Sequence, residues 1–144
     1  MGTIQKFTGD WNQVFTWDGT RTRMYQNREN NQVSETWMIG KKEGAENFAF
    51  RYYQLSPGSH SKKEQHPYDH GLLVLQGEGE VLLGDKTHPV SRGDIIYIDP
   101  DLLHQVNNTS EEPLGFICVI PARREKEGKI VWAEEGIIFE QEGI

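Results

Sequence analysis

The reading of this chain turns on Pro57-Gly58-Ser59-His60-Ser61-Lys62-Lys63-Glu64-Gln65-His66-Pro67-Tyr68-Asp69-His70-Gly71-Leu72-Leu73-Val74-Leu75-Gln76-Gly77. It sets imidazoles and a carboxylate between glycine turns, and after fifteen intervening residues Gly93-Asp94 opens a second segment that ends in His104 and Asn108. Side chains at i and i+2 of a strand share a face, so Glu64 and His66 are expected to point one way and Gln65 the other. Pro67-Tyr68-Asp69 then turns the chain, His70 opens the next strand, and His104 begins a strand running through Val106. Four donors, Glu64, His66, His70 and His104, are thus expected to meet from three neighbouring strands. A nitrogen and oxygen set without thiolate suits one divalent transition ion, Mn, Fe, Ni, Co or Zn, rather than a structural zinc knuckle.

Outward from this stretch, turn signals recur at Gly77-Glu78-Gly79, Gly84-Asp85, Arg92-Gly93-Asp94, Asp99-Pro100-Asp101 and Asn107 to Pro113. Between them lie runs rich in Val, Ile, Leu, Phe and Tyr: Phe48 to Leu55, Gly71 to Gln76, Glu80 to Leu83, Ile95 to Ile98 and Leu114 to Ile120. Gly and Pro interrupt too often for helices of ordinary length, so the spacing predicts an all-β chain closed as an antiparallel sandwich or jelly-roll barrel. The core is expected over residues 36–122. Residues 1–35, with Trp11, Phe15, Trp17 and Tyr25 among polar neighbours, read as an arm packing on the barrel or on a partner subunit. Residues 123–144 read as a charged tail with one possible short strand, a surface segment rather than a site. His60 and His88 fall in loops outside the motif and read as surface residues.

Composition narrows the function classes. The 144 residues suit one domain. Lysine and arginine number 15 against 22 aspartates and glutamates, a net charge of −7 that repels phosphate backbones and anionic bilayers. Neither nucleic acid nor membrane is an expected partner. Cys118 is the only cysteine, and no apolar stretch is long enough to span a bilayer, so a reduced, cytoplasmic setting is expected.

The spacing resembles the two motifs of the cupins, with Gly58, His66, Gly77, Gly93, His104 and Asn108 in register. Glu64 stands where the first histidine of the family usually stands and His70 where its glutamate does, so three histidines and one carboxylate are kept with two positions exchanged. Asp99 and Asp101 replace the usual Pro and Gly of the second motif. His66-Pro67-Tyr68-Asp69-His70 and Gly115-Phe116-Ile117-Cys118-Val119-Ile120-Pro121 are similar to a subgroup of single-domain cupins with histidine at that fourth position.

The resemblance implies a double-stranded β-helix holding one divalent metal, Mn or Fe favoured, on Glu64, His66, His70 and His104. If Glu64 swings away, a three-histidine site remains. It also implies a substrate pocket faced by Phe116, Cys118 and Ile120. Arg51 and Tyr53 share a face one strand away; an inward Arg51 would favour an anionic or carbonyl-bearing substrate, and an outward one would pair with a surface acid. The implied activity is that of a metal-dependent enzyme on a small oxygenated substrate, by dioxygenase, isomerase or lyase chemistry, with dioxygenase favoured. The alternative is a non-catalytic, metal-dependent binder of a sugar or carboxylate. Exposed strand edges and the family's habit of pairing barrels imply a homodimer.

Overall fold

The computed structural model describes residues 2–139 and the backbone of Gln141–Glu142. Its strands are β1 (Arg21–Arg28), β2 (Asn31–Ile39), β3 (Phe48–Leu55), β4 (His70–Gln76), β5 (Glu78–Leu83), β6 (Lys86–Ser91), β7 (Ile95–Ile98), β8 (His104–Asn107), β9 (Leu114–Pro121), β10 (Arg123–Lys126), β11 (Lys129–Trp132) and β12 (Gln141–Glu142). A seven-stranded sheet runs β12-β1-β2-β3-β9-β4-β7, a three-stranded sheet runs β6-β5-β8, and β10-β11 is a separate hairpin. All pairings are antiparallel. No helix among the described residues is long and apolar enough to cross a membrane.

Period-two alternation decides what each strand buries. Along β9, Leu114, Phe116, Cys118 and Ile120 point inward; along β3, Ala49, Tyr53 and Leu55 do so. They meet Val81, Val90 and Val106 of the small sheet, so the main core lies between the two sheets. The opposite face of β3 carries Tyr52, which is buried for a different reason. Residues of the N-terminal segment lie across it: Phe15 stacks on Tyr52 at 5.7 Å and Trp17 approaches at the same centroid distance. Trp11 stacks on Phe7 at 4.3 Å and stays half exposed.

Two motif residues serve the frame. Gly77 has φ +78°, and a Cβ there would strike the Pro113 carbonyl, so the β4–β5 turn can pass under β9 only as glycine. Asn108, fully buried, donates to the carbonyls of Leu55 (3.0 Å) and Glu112 (2.8 Å) while its own oxygen accepts from the Ser110 backbone N–H at 3.0 Å. It pins the end of β3 to the β8–β9 turn.

The boundaries differ from expectation at both ends. The line drawn at residue 35 passes through β2, and β1 and β2 are full members of the large sheet. Expected strands did not include β6, whose Lys86-Thr87-His88-Pro89 is exposed throughout. Residues past 122 form the β10–β11 hairpin and then return over the barrel mouth.

Candidate metal centre

His70 is the first residue of β4 and His104 the first of β8, so each hangs at the open end of its strand. His66 lies on no strand. It belongs to the connection 56–69, which runs beside β8: Ser61 N–H donates to the Val106 carbonyl (2.9 Å), and Glu64 and His104 exchange both backbone hydrogen bonds (3.0 and 2.9 Å). The His66 carbonyl is held by Asp101 N–H at 2.8 Å. The expectation of donors on three strands is therefore corrected: two come from strand ends and one from a loop laced to a strand by backbone bonds.

One donor atom from each of His66, His70 and His104 lies within 4.8 Å of the others, and no fourth residue joins this group among those described. Hydrogen bonds on the far side of two rings set their tautomers. His66 Nδ1 faces the Tyr68 carbonyl (2.9 Å) and His104 Nδ1 the Leu102 carbonyl (2.7 Å), so Nδ1 carries the proton in both and Nε2 offers a lone pair. His70 Nε2 is 3.1 Å from His104 Nε2, and His70 Nδ1 is 3.3 Å from Cys118 Sγ. Without metal, one arrangement satisfies both His70 nitrogens and His104 Nε2: the Cys118 thiol donates to His70 Nδ1, and His70 Nε2–H donates to His104. To hold a metal, His70 would carry its proton on Nδ1, facing sulfur, and leave Nε2 free. Two nitrogens bound at about 2.1 Å at a right angle would stand about 3 Å apart, so the donor set fits a transition ion.

Burial, and then repulsion from His104 and His66, push His70 down to about 3. Burial lowers His66 too, against the pull of the Tyr68 carbonyl. Both rings are neutral near pH 7, the form a metal requires.

Glu64 stands beside the group. One carboxylate oxygen is 3.8 Å from His66 Nε2; the other accepts the Tyr25 hydroxyl at 3.0 Å. Burial and the Glu64 charge hold Tyr25 protonated, well above its usual value.

These groups open on a cavity of about 230 Å³, sized for a small metabolite. Arg51, Tyr53, Phe116, Cys118 and Ile120 all line it. Arg51 points inward: Nη1 donates to Tyr53 Oη (2.6 Å) and to Glu35 (3.4 Å), and Nη2 reaches Cys118 Sγ at 3.1 Å. Tyr53 in turn donates to Glu35, whose other oxygen accepts Trp37 Nε1 (2.7 Å) and Arg23 Nε (2.9 Å). Burial pushes the Glu35 carboxyl up, but Arg51, Tyr53 and Arg23 outweigh it and hold it below the ordinary value. Burial raises the Cys118 thiol despite Arg51, so it stays protonated.

Glu35 was missing from the sequence reading, although its alternation with Val33 and Trp37 in β2 was the available signal. Glu135 and Ile137 of the tail, read as surface, line the cavity, and Glu134 pairs with Arg21 at 3.3 Å.

Residues 51–120 match the family profile described as the cupin domain. The chain is 36% identical over 76 residues to 1-methylthio-D-xylulose 5-phosphate methylsulfurylase of Rhodospirillum rubrum, spanning 53% of this chain and 49% of that protein. It is 40% identical over 57 residues to (S)-ureidoglycine aminohydrolase of Arabidopsis thaliana, 39% of this chain and 19% of that protein. The chain thus spans half or less of these curated relatives. Among solved structures, a cupin 2 conserved barrel domain protein from Rhodopseudomonas palustris superposes with a TM-score of 0.74 at 25% identity, covering 86% of this chain and 83% of that one. By its barrel and by the profile it matches, the chain belongs to the cupin superfamily.

Proposed function

We propose that this cupin is a metal-dependent enzyme that moves a proton on a small oxygenated substrate, in isomerase or lyase chemistry. Support comes from relatives named as enzymes, none of them named for oxygen insertion, the chemistry favoured from the sequence. The observation that carries the reading is a proton-holding pair, Tyr25 and Glu64, lining the same cavity as three converging imidazoles. A divalent transition ion would be held by Nε2 of His66, His70 and His104 and would supply Lewis-acid polarisation of a substrate oxygen.

The chain's own residues do the rest. The Glu64 carboxylate takes a proton from the carbon next to the polarised carbonyl, and the Tyr25 hydroxyl, already donating to Glu64, steadies the charge until the proton is returned. Arg51 is tied to Glu35, Tyr53 and Cys118 and fixes that wall of the cavity. Phe116, Ile120 and Ile137 exclude water from the inner wall.

The test is a panel of small hydroxy and keto acids incubated in D2O with the Mn- or Fe-loaded protein, read by proton NMR and an oxygen electrode together. Deuterium exchange at the carbon next to a carbonyl, lost in Glu64→Gln, is the expected outcome. Oxygen uptake without exchange would replace this reading with dioxygenase chemistry, and saturable binding with neither would make the protein a binder.

A further inference from the structure

The cavity mouth carries a feature the histidines do not use. Two basic doublets from distant parts of the chain, Lys62-Lys63 on the β3–β4 connection and Arg123-Arg124 on β10, stand on one rim, although the chain's net charge is −7. Lys62 and Arg124 line the metal cavity itself. Glu64, His66, Tyr68 and Arg124 border both that cavity and a shallower groove flanked by Lys63 and Arg123.

Glu64, Glu125 and Glu135 share these walls, yet among the described residues none of the four cations has a carboxylate within ion-pair distance. Lys62, Arg123 and Arg124 rest on aromatic rings instead. Lys62 Nζ is 5.3 Å from the centre of Tyr25, and the Arg124 guanidinium carbon is 5.6 Å from that of Tyr68, with Nη1 donating to Tyr68 Oη at 3.1 Å. A ring face holds a cation in place without neutralising it. Tyr68 also stacks on His66 at 3.9 Å, so Arg124 is separated from the metal-binding imidazole by one aromatic ring.

In the deeper guanidinium, Arg51, Nη1 is committed to Glu35 and Tyr53 and Nη2 to Cys118 while Nε is buried without a partner, and Arg23 has its Nε on Glu35. Arg23 and Arg51 thus each have a carboxylate partner, and the two cations of this cavity without one are Lys62 and Arg124. A monocarboxylate would be matched by one of them. A phosphomonoester, with a charge of about −1.5 to −2 at neutral pH and three acceptor oxygens, matches both, and the planar fork of arginine suits it.

We infer that the substrate carries a phosphomonoester seated on Lys62 and Arg124 while its oxygenated end reaches the three histidines. This deepens the function proposed above and rests on it for the oxygenated end alone.

The experiment is calorimetric titration with three probes, glycerate, 3-phosphoglycerate and inorganic phosphate, against metal-loaded protein, metal-free protein and the double variant Lys62→Gln/Arg124→Gln. In metal-loaded protein 3-phosphoglycerate is expected to bind about tenfold or more tightly than glycerate, with an advantage that shrinks as salt rises. In the double variant the advantage of 3-phosphoglycerate over glycerate should shrink to within about twofold. Equal affinities in the unmodified protein, an advantage that survives the double substitution, or no saturable binding of either phosphate probe would each overturn the inference. The metal-free arm separates the two ideas: a phosphate advantage there, with glycerate indifferent to metal, keeps the phosphate seat and sinks the metal-site reading.

Discussion

Two polar clusters share the cavity and are built on opposite plans. Around Glu35, every strong group answers another: Arg51, Arg23, Tyr53 and Trp37 all direct donors at one carboxylate that is wholly shielded from water. Around the histidines, hydrogen bonds are made on the outer side of the rings, at the Tyr68 and Leu102 carbonyls, while the inner nitrogens converge with no donor from the chain to satisfy all of them. Cys118 joins the two, accepting from Arg51 and facing His70. The contrast teaches that one cluster is closed and structural, and the other is left open toward the cavity.

The sharpest way to break the contrast is His66→Ala. Metal content, measured by elemental analysis, should fall from about one ion per chain to none, while the unfolding free energy of the metal-free protein changes by only about 1 kcal/mol. A large loss of stability with metal retained would show that the histidines are structural and reverse the assignment.

Arg51→Met should do the opposite. Removing the cation leaves the buried Glu35 with Arg23 as its sole counter-charge and Arg51's hydrogen bond unmade, which costs about 3 kcal/mol in denaturant unfolding while the metal stoichiometry is kept. A loss under about 1 kcal/mol would mean that Arg23 alone satisfies the carboxylate.

The junction is probed by Cys118→Ala. With no sulfur to receive the His70 proton, metal affinity should fall about tenfold, read by competition with a chromogenic chelator. Unchanged affinity would detach the two clusters.

The smallest effect is in the acid limb of stability. Glu35 is held below its ordinary value of 4.5, so between the folded and unfolded values the unfolded chain binds more protons. Its contribution is whole above pH 4.5 and is lost as pH falls through the folded value. Denaturation of metal-free protein from pH 7 to 3 should show this decline, and Glu35→Gln should flatten it. An equal decline in the variant would assign the acid sensitivity elsewhere.

Much of the frame could be read locally. The boundaries of β3 and β7 coincide with the expected runs, since each is an apolar stretch stopped by turn residues. The inward set Phe116, Cys118 and Ile120 follows from alternation once β9 is placed, and the three histidines follow from motif spacing. β1 and the start of β2 escaped because Arg21, Arg23, Gln26 and Glu35 interrupt the apolar pattern; Arg21, Gln26 and Glu35 are buried because they pair with partners on other segments.

By itself, then, the sequence determined the all-β class, the glycine turns and the histidines that gather, because turn chemistry and a period of two act over a few neighbouring residues. Only the tertiary structure decided that Glu35 answers Arg51 across β2 and β3, that the tail returns to bring Glu135 and Ile137 to the cavity, and that Lys62 and Arg124 line that same cavity. Those pairs lie far apart in the chain. Alternation names the face a side chain occupies, but its partner depends on strand order and register, which the packing of the whole barrel sets.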